Sequence, residues 1–76
     1  MILSQLQRGE RAKVLGFVPG HPYYRSKLLA LGLIPGTVFT LKRIAPLGCP
    51  VEIEVRHYAL TLRKKEAELL KIERVA

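Results

Sequence analysis

Tryptophan is absent from this 76-residue chain, cysteine occurs once, and three Tyr and two Phe are its only aromatic residues. The lone Cys49 excludes an internal disulfide, and small secreted domains are normally stapled by several, so a reducing cytoplasm is the expected compartment. Long apolar runs are missing as well. The longest, Leu28 to Ile34, contains Gly32 and stops at Pro35, well short of the roughly 20 residues that a membrane-spanning helix needs. The first eight residues, Met1 to Arg8, hold no basic leader followed by an apolar stretch, so no secretory signal is expected and the chain reads as soluble. Its shortness excludes more. A chain of this size buries only about 60% of the surface its unfolded form exposes, which leaves one core and little room for a deep, water-excluding substrate pocket. A binding or regulatory module is expected.

Catalytic signatures are also lacking. None of the six glycines stands in the G-x-x-x-x-G-K-[ST] frame that wraps backbone amides around phosphates, so the chain is not itself expected to be a GTPase or ATPase. The G-x-G-x-x-G fingerprint and the G-x-S-x-G elbow are missing, and nucleophilic catalysis has no candidate. Glu52 and Glu54 share one face of a strand, but they alternate with apolar residues and read as solvated surface, not as an acid and base pair. The soft or borderline metal ligands His21, Cys49 and His57 are scattered, with no C-x-x-C or H-x-x-x-H spacing. No enzyme and no resident cofactor or metal is expected.

What the chain does have is the punctuation of a small β protein. Leu3 and Leu6 are spaced like one face of a helical turn, and Ala12 to Val18 predicts a first strand in which Gly16 marks a bulge or bend. Pro19-Gly20 breaks it. Pro22 at the first helical position and Gly32 at a left-handed end delimit a helix from Pro22 to Leu31. Tyr24, Leu28 and Leu31 recur along it at i, i+4 and i+7 with Arg25 and Lys27 on the flanks, while Leu29 and Ala30 widen its apolar surface. Pro35-Gly36 predicts a type II turn that opens a strand from Thr37 to Ile44. Pro46, Gly48 and Pro50 then punctuate a loop. Val51, Ile53 and Val55 alternate with Glu52, Glu54 and Arg56, which predicts a half-buried strand with the first three inward. His57-Tyr58 is read as a tight connection to a strand over Ala59 to Leu62. Arg63 to Glu68 suits a helical turn, and Leu70 to Val75 a last strand. Five short strands with one inserted helix predict a single mainly β domain over residues 1–76, a small SH3-like antiparallel barrel whose closure would remove exposed edges.

Thirteen Lys and Arg against six Asp and Glu give a formal charge of +7, which favours nucleic acid, an anionic membrane surface or an acidic protein face as partner. The cations fall in groups: Arg8, Arg11 and Lys13; Arg25 and Lys27; Lys42 and Arg43; Arg63, Lys64 and Lys65. Nucleic-acid barrels add a row of aromatic platforms to such groups. Here Phe17 and Phe39 are assigned to the core and outward Glu52 and Glu54 interrupt any phosphate track, so a small nucleic-acid-binding SH3-like barrel is the alternative reading and no specific nucleic-acid binding is expected.

Three pieces in order, Tyr24-Arg25-x-x-Leu28-x-x-Leu31-Gly32-x-x-Pro35-Gly36, then Arg43-x-Ala45-Pro46-x-Gly48-x-Pro50-Val51, then Leu60-x-Leu62-Arg63-x-x-Glu66-Ala67, resemble the FeoA family of ferrous iron transport proteins. The match covers nearly the whole chain. It departs at Cys49, where an Asp is common, and around Arg56-His57, where a Gly is common in the turn. The resemblance implies a non-enzymatic cytosolic SH3-like accessory of FeoB, an inner-membrane ferrous iron permease with a cytosolic G-protein domain, to which this chain would be recruited. It leaves self-association open. An arginine inserted into the partner's GTPase site is conceivable, with Arg25, Arg43 and Arg63 available, but an exposed arginine on a basic domain reads first as surface charge.

For docking, the sequence points to the helix from Pro22 to Leu31 and a groove beside it. Tyr24, Leu28 and Leu31 form the apolar anchor, with Arg25 and Lys27 exposed to meet an acidic rim. Gly32, Pro35, Gly36, Pro46, Gly48 and Pro50 are expected to set backbone turns.

Overall fold

A computed structural model describes residues 3–20 and 22–75, with the side chain of Ser4 outside the description. Strands β1 (Arg11–Phe17), β2 (Val38–Ile44), β3 (Val51–Val55), β4 (Tyr58–Leu62) and β5 (Leu70–Val75) form one antiparallel sheet in the order β4-β3-β2-β1-β5. Helix α1 (Pro22–Ala30) follows β1, and a single-turn α2 (Lys64–Ala67) joins β4 to β5. Short 3-10 turns lie at Leu3–Gln5 and Pro46–Gly48. The expected mainly β, five-stranded architecture is present. Its ends meet differently from the closure anticipated: among the described residues no ladder joins β4 to β5, and α2 carries the chain across that gap.

Period-two alternation sets the inward faces. Val51, Ile53 and Val55 are buried while Glu54 and Arg56 are exposed, as the sequence predicts. The core continues through Val14, Phe39, Leu41, Leu62, Leu70 and Ile72, with Leu3 and Leu6 closing one end. Phe39 is core as expected. Phe17 is half-buried, packed against the core from the end of β1, with the Arg25 guanidinium 5.8 Å from its ring centroid. The β1 to β5 register shifts between Val14 and Gly16, where glycine signalled a bulge. A second bulge in β2, between Leu41 and Arg43, carries no glycine and was not signalled. The tight β3 to β4 connection is Arg56-His57, one residue earlier than read, because Val55 already pairs with Tyr58.

Helix α1 ends in a Schellman motif. Leu33 N–H donates to Leu28 C=O at 3.1 Å and Gly32 N–H to Leu29 C=O at 3.0 Å, with Gly32 at φ +94 and Leu28 and Leu33 packed together in the core. Pro35-Gly36 then turns the chain, Thr37 N–H donating to Ile34 C=O at 3.0 Å with Gly36 at φ +96, the type II geometry expected of that pair. The two glycines differ in surroundings. A Cβ at Gly32 would lie 2.9 Å from the Tyr58 hydroxyl, whereas at Gly36 it would meet nothing. That hydroxyl donates to Leu31 C=O at 3.0 Å and ties the β3–β4 hairpin to the helix end. Gly36→Ala should therefore lose about 1 to 2 kcal/mol from backbone strain alone. Gly32→Ala should lose more, because it also displaces Tyr58. Urea titrations of both variants and of Tyr58→Phe test this; equal losses at the two glycines would refute the Tyr58 contribution.

Candidate functional site

The apolar stripe of α1 faces inward more than outward. Leu28 is 0% exposed and belongs to the core, while Tyr24 and Leu31 are half-buried. The solvent side of the helix instead shows Tyr23, which meets Tyr24 edge to face at 5.5 Å, and Leu29, which is 37% exposed.

An open groove of about 790 Å³ runs beside the helix. Its walls are Phe17 at the end of β1, Val18 to Gly20 beyond it, Pro22, Arg25, Ser26 and Leu29 on α1, then Pro35 and Leu69. Val18 N–H donates to Leu69 C=O at 2.7 Å, which draws two distant segments together. A Cβ at Gly20 would come within 2.7 Å of Leu69 Cδ2 and push the tip of that side chain aside. Arg25 lies over Phe17, so the one charge on the groove is held at its rim by a ring face. Of the five docking residues read from sequence, Arg25 alone lines this groove. Phe17 and Leu69 were not read as walls of it, and Leu29 was read only as widening the apolar surface of the helix. Leu69 had one available signal: Leu70 and Ile72 alternate inward, so the leucine just before them falls outside the strand pattern.

Lys27 is also a structural residue. Its ammonium pairs with the Glu66 carboxylate of α2, and Glu66 is the one buried charged side chain described, 1% exposed. The other Glu66 oxygen accepts the Arg63 N–H at 2.8 Å and caps the first turn of α2. Burial opposes the ionised form of Glu66, but the Lys27 hydrogen bond and the Arg63 N–H outweigh it and hold the carboxyl below its ordinary value. Lys27 is exposed as expected, and its pair with Glu66 also makes it a clamp between α1 and α2.

Elsewhere the charges pair loosely across the surface, Lys13 with Glu73 at 3.8 Å and Lys42 with Glu54 at 3.9 Å. Arg74 meets Glu10 at 2.8 Å. Such exposed pairs add little stability. Cys49 and His57 are exposed, His21 lies outside the described residues, and among those described no three His, Cys, Asp or Glu side chains gather as metal ligands. The groove offers apolar walls, one hydroxyl at Ser26 and one cation, a composition suited to holding a protein segment.

A family model described as the FeoA domain matches residues 1–74. A Porphyromonas gingivalis Fe(2+) transport protein A/Fe(2+) transporter FeoB fusion protein is 30% identical over 76 residues, all of this chain but 9% of that much longer protein. The solution structure of a FeoA protein from Chlorobium tepidum is 39% identical with a TM-score of 0.87, covering 100% of this chain and 71% of that one. The crystal structure of Stenotrophomonas maltophilia FeoA complexed with zinc, described as a prokaryotic SH3 domain protein, is 25% identical with a TM-score of 0.81, covering 96% and 89%.

Proposed function

The chain belongs to the FeoA family, and from that premise we propose that it is a non-enzymatic accessory protein of ferrous iron uptake that docks on the cytosolic G-protein region of a FeoB-type permease. The observation that carries this reading is the fusion protein, in which a segment matching this whole chain is covalently joined to an Fe(2+) transporter. Fusion holds two partners at an effective concentration in the millimolar range for short linkers. A separate chain must reach the same encounter through affinity, for which an apolar groove with a charged rim is suited. Ferrous iron is then the permease's cargo and not a ligand of this domain. The chain works in the cytoplasm and is drawn to the inner membrane by its partner. Arg25 guides approach, while Phe17, Leu29 and Leu69 supply the anchor.

The soluble G-protein domain of such a permease, immobilised with and without guanine nucleotide, should retain this chain. Arg25→Glu should leave the fold intact, since Arg25 is exposed, and weaken retention about tenfold or more, because like charges now face each other at the rim. No retention in any nucleotide state would reject docking on that region. Retention unchanged by Arg25→Glu would reject the groove as the contact surface.

A further inference from the structure

The β2 to β3 connection has features that docking through the groove does not use. Between Leu41 paired with Ile53 and Arg43 paired with Glu52, Lys42 is the extra residue of the bulge, and a bulge re-aims side chains that alternation would otherwise separate. Lys42 and Arg43 are consequently both exposed. Together with Arg8 they line an open cleft of about 320 Å³ that also includes Glu52. Lys42 shares a loose pair with Glu54 at 3.9 Å, while Arg8 and Arg43 make no ion pair among the described residues.

One register step beyond Arg43, the pair of Ile44 with Val51 opens the loop. Here Leu47 stands 98% exposed, at φ 76, a left-handed conformation that strains a branched side chain and that Gly or Asn would adopt more readily. Pro46, Cys49 and Pro50 around it are exposed, and Ile44 at its base is 37% exposed. The chain thus places a projecting apolar point in the loop that leaves the strand whose bulge carries Lys42 and Arg43. An acidic protein face or a nucleic-acid backbone would satisfy the cations but gain little from a lone projecting leucine. An anionic bilayer meets both, with phosphates at the surface and hydrocarbon just beneath, and the formal charge of +7 acts in the same sense.

We propose that this end of the molecule contacts an anionic lipid bilayer directly, Leu47 entering the acyl boundary and Arg8, Lys42 and Arg43 meeting headgroup phosphates. The contact is independent of docking on a protein partner, and with one apolar side chain it is weak and reversible. Sedimentation with vesicles that contain no protein keeps the two readings apart. The chain should pellet with phosphatidylglycerol-containing vesicles at about 0.01 M salt, less so near 0.15 M, and stay in solution with pure phosphatidylcholine. Leu47→Asn, which suits the left-handed backbone, should weaken partitioning about tenfold or more. Arg8→Gln with Arg43→Gln should weaken it by about five-fold per charge removed. The proposal is overturned if the wild-type chain ignores anionic vesicles at low salt. It is equally overturned if Leu47→Asn pellets as well as wild type, which would mark a diffuse attraction of charge alone.

Discussion

Truncating Leu28 to Ala should cost about 2 to 5 kcal/mol of folding stability, since the side chain is 0% exposed and forms the helix half of the Schellman contact with Leu33. For a domain of this length each kcal/mol lowers the melting temperature by about 4 to 8 °C, so a fall of roughly 10 °C or more is expected by calorimetry. Leu29→Ala is the informative companion. Its side chain is 37% exposed on the groove, so its truncation should cost less than about 1 kcal/mol while weakening retention on the G-protein domain. Two adjacent leucines of one helix then separate stability from binding. A Leu28→Ala chain that melts like wild type would show that the core does not depend on α1 as described.

Reversing Lys27 to Glu should also destabilise the fold, by about 2 to 4 kcal/mol at neutral pH. Removing one partner of a fully buried pair costs about 3 to 5 kcal/mol; the expected loss is smaller because Lys27 is 42% exposed and solvent screens its side of the pair. The pH dependence identifies the cause. In the wild-type chain the carboxyl of Glu66 is held below its ordinary value of 4.5, so its contribution is complete above that value and is lost as pH falls through the lowered folded value. In the Lys27→Glu chain Glu66 is buried without its cation, so its folded value should rise, and the variant should lose stability as pH increases through it. The gap between the two chains is therefore widest near neutrality and narrows below about pH 4.5. Urea titrations at neutral and acid pH measure it. A gap that does not change with pH would assign the loss to packing of the lysine stem.

Strand faces and turns were legible in the sequence because each depends on neighbours a few residues away. Val51, Ile53 and Val55 need only the pleat, and Gly32 and Gly36 need only the backbone angles that their turns impose. The groove was half legible. Its place beside the helix follows from the apolar surface of α1, but its walls also need Phe17 and Leu69, which the β1 to β5 ladder and the Val18 to Leu69 hydrogen bond bring together. The Lys27 to Glu66 pair was illegible for the same reason, because the two residues lie 39 positions apart and Glu66 sits on an element of one turn. The bulge at Lys42 was invisible because nothing local marks it. The run Lys42-Arg43-Ile44 simply stops alternating, and composition does not tell a bulge from a strand end.

The Val18 to Leu69 bridge has a consequence for how the chain would respond to a partner. One side of the groove comes from the first half of the sequence and the other from Leu69, within its last ten residues, so any opening that frees β5 would erase the groove and the fold together. A segment seated in the groove acts as a clasp across the two chain ends. It should slow amide exchange at Val18 along with the ends of β1 and β5, and raise the apparent stability of the domain in step with its own concentration relative to Kd. Under the proposed docking, binding and folding would thus be coupled through one contact between distant segments of the chain.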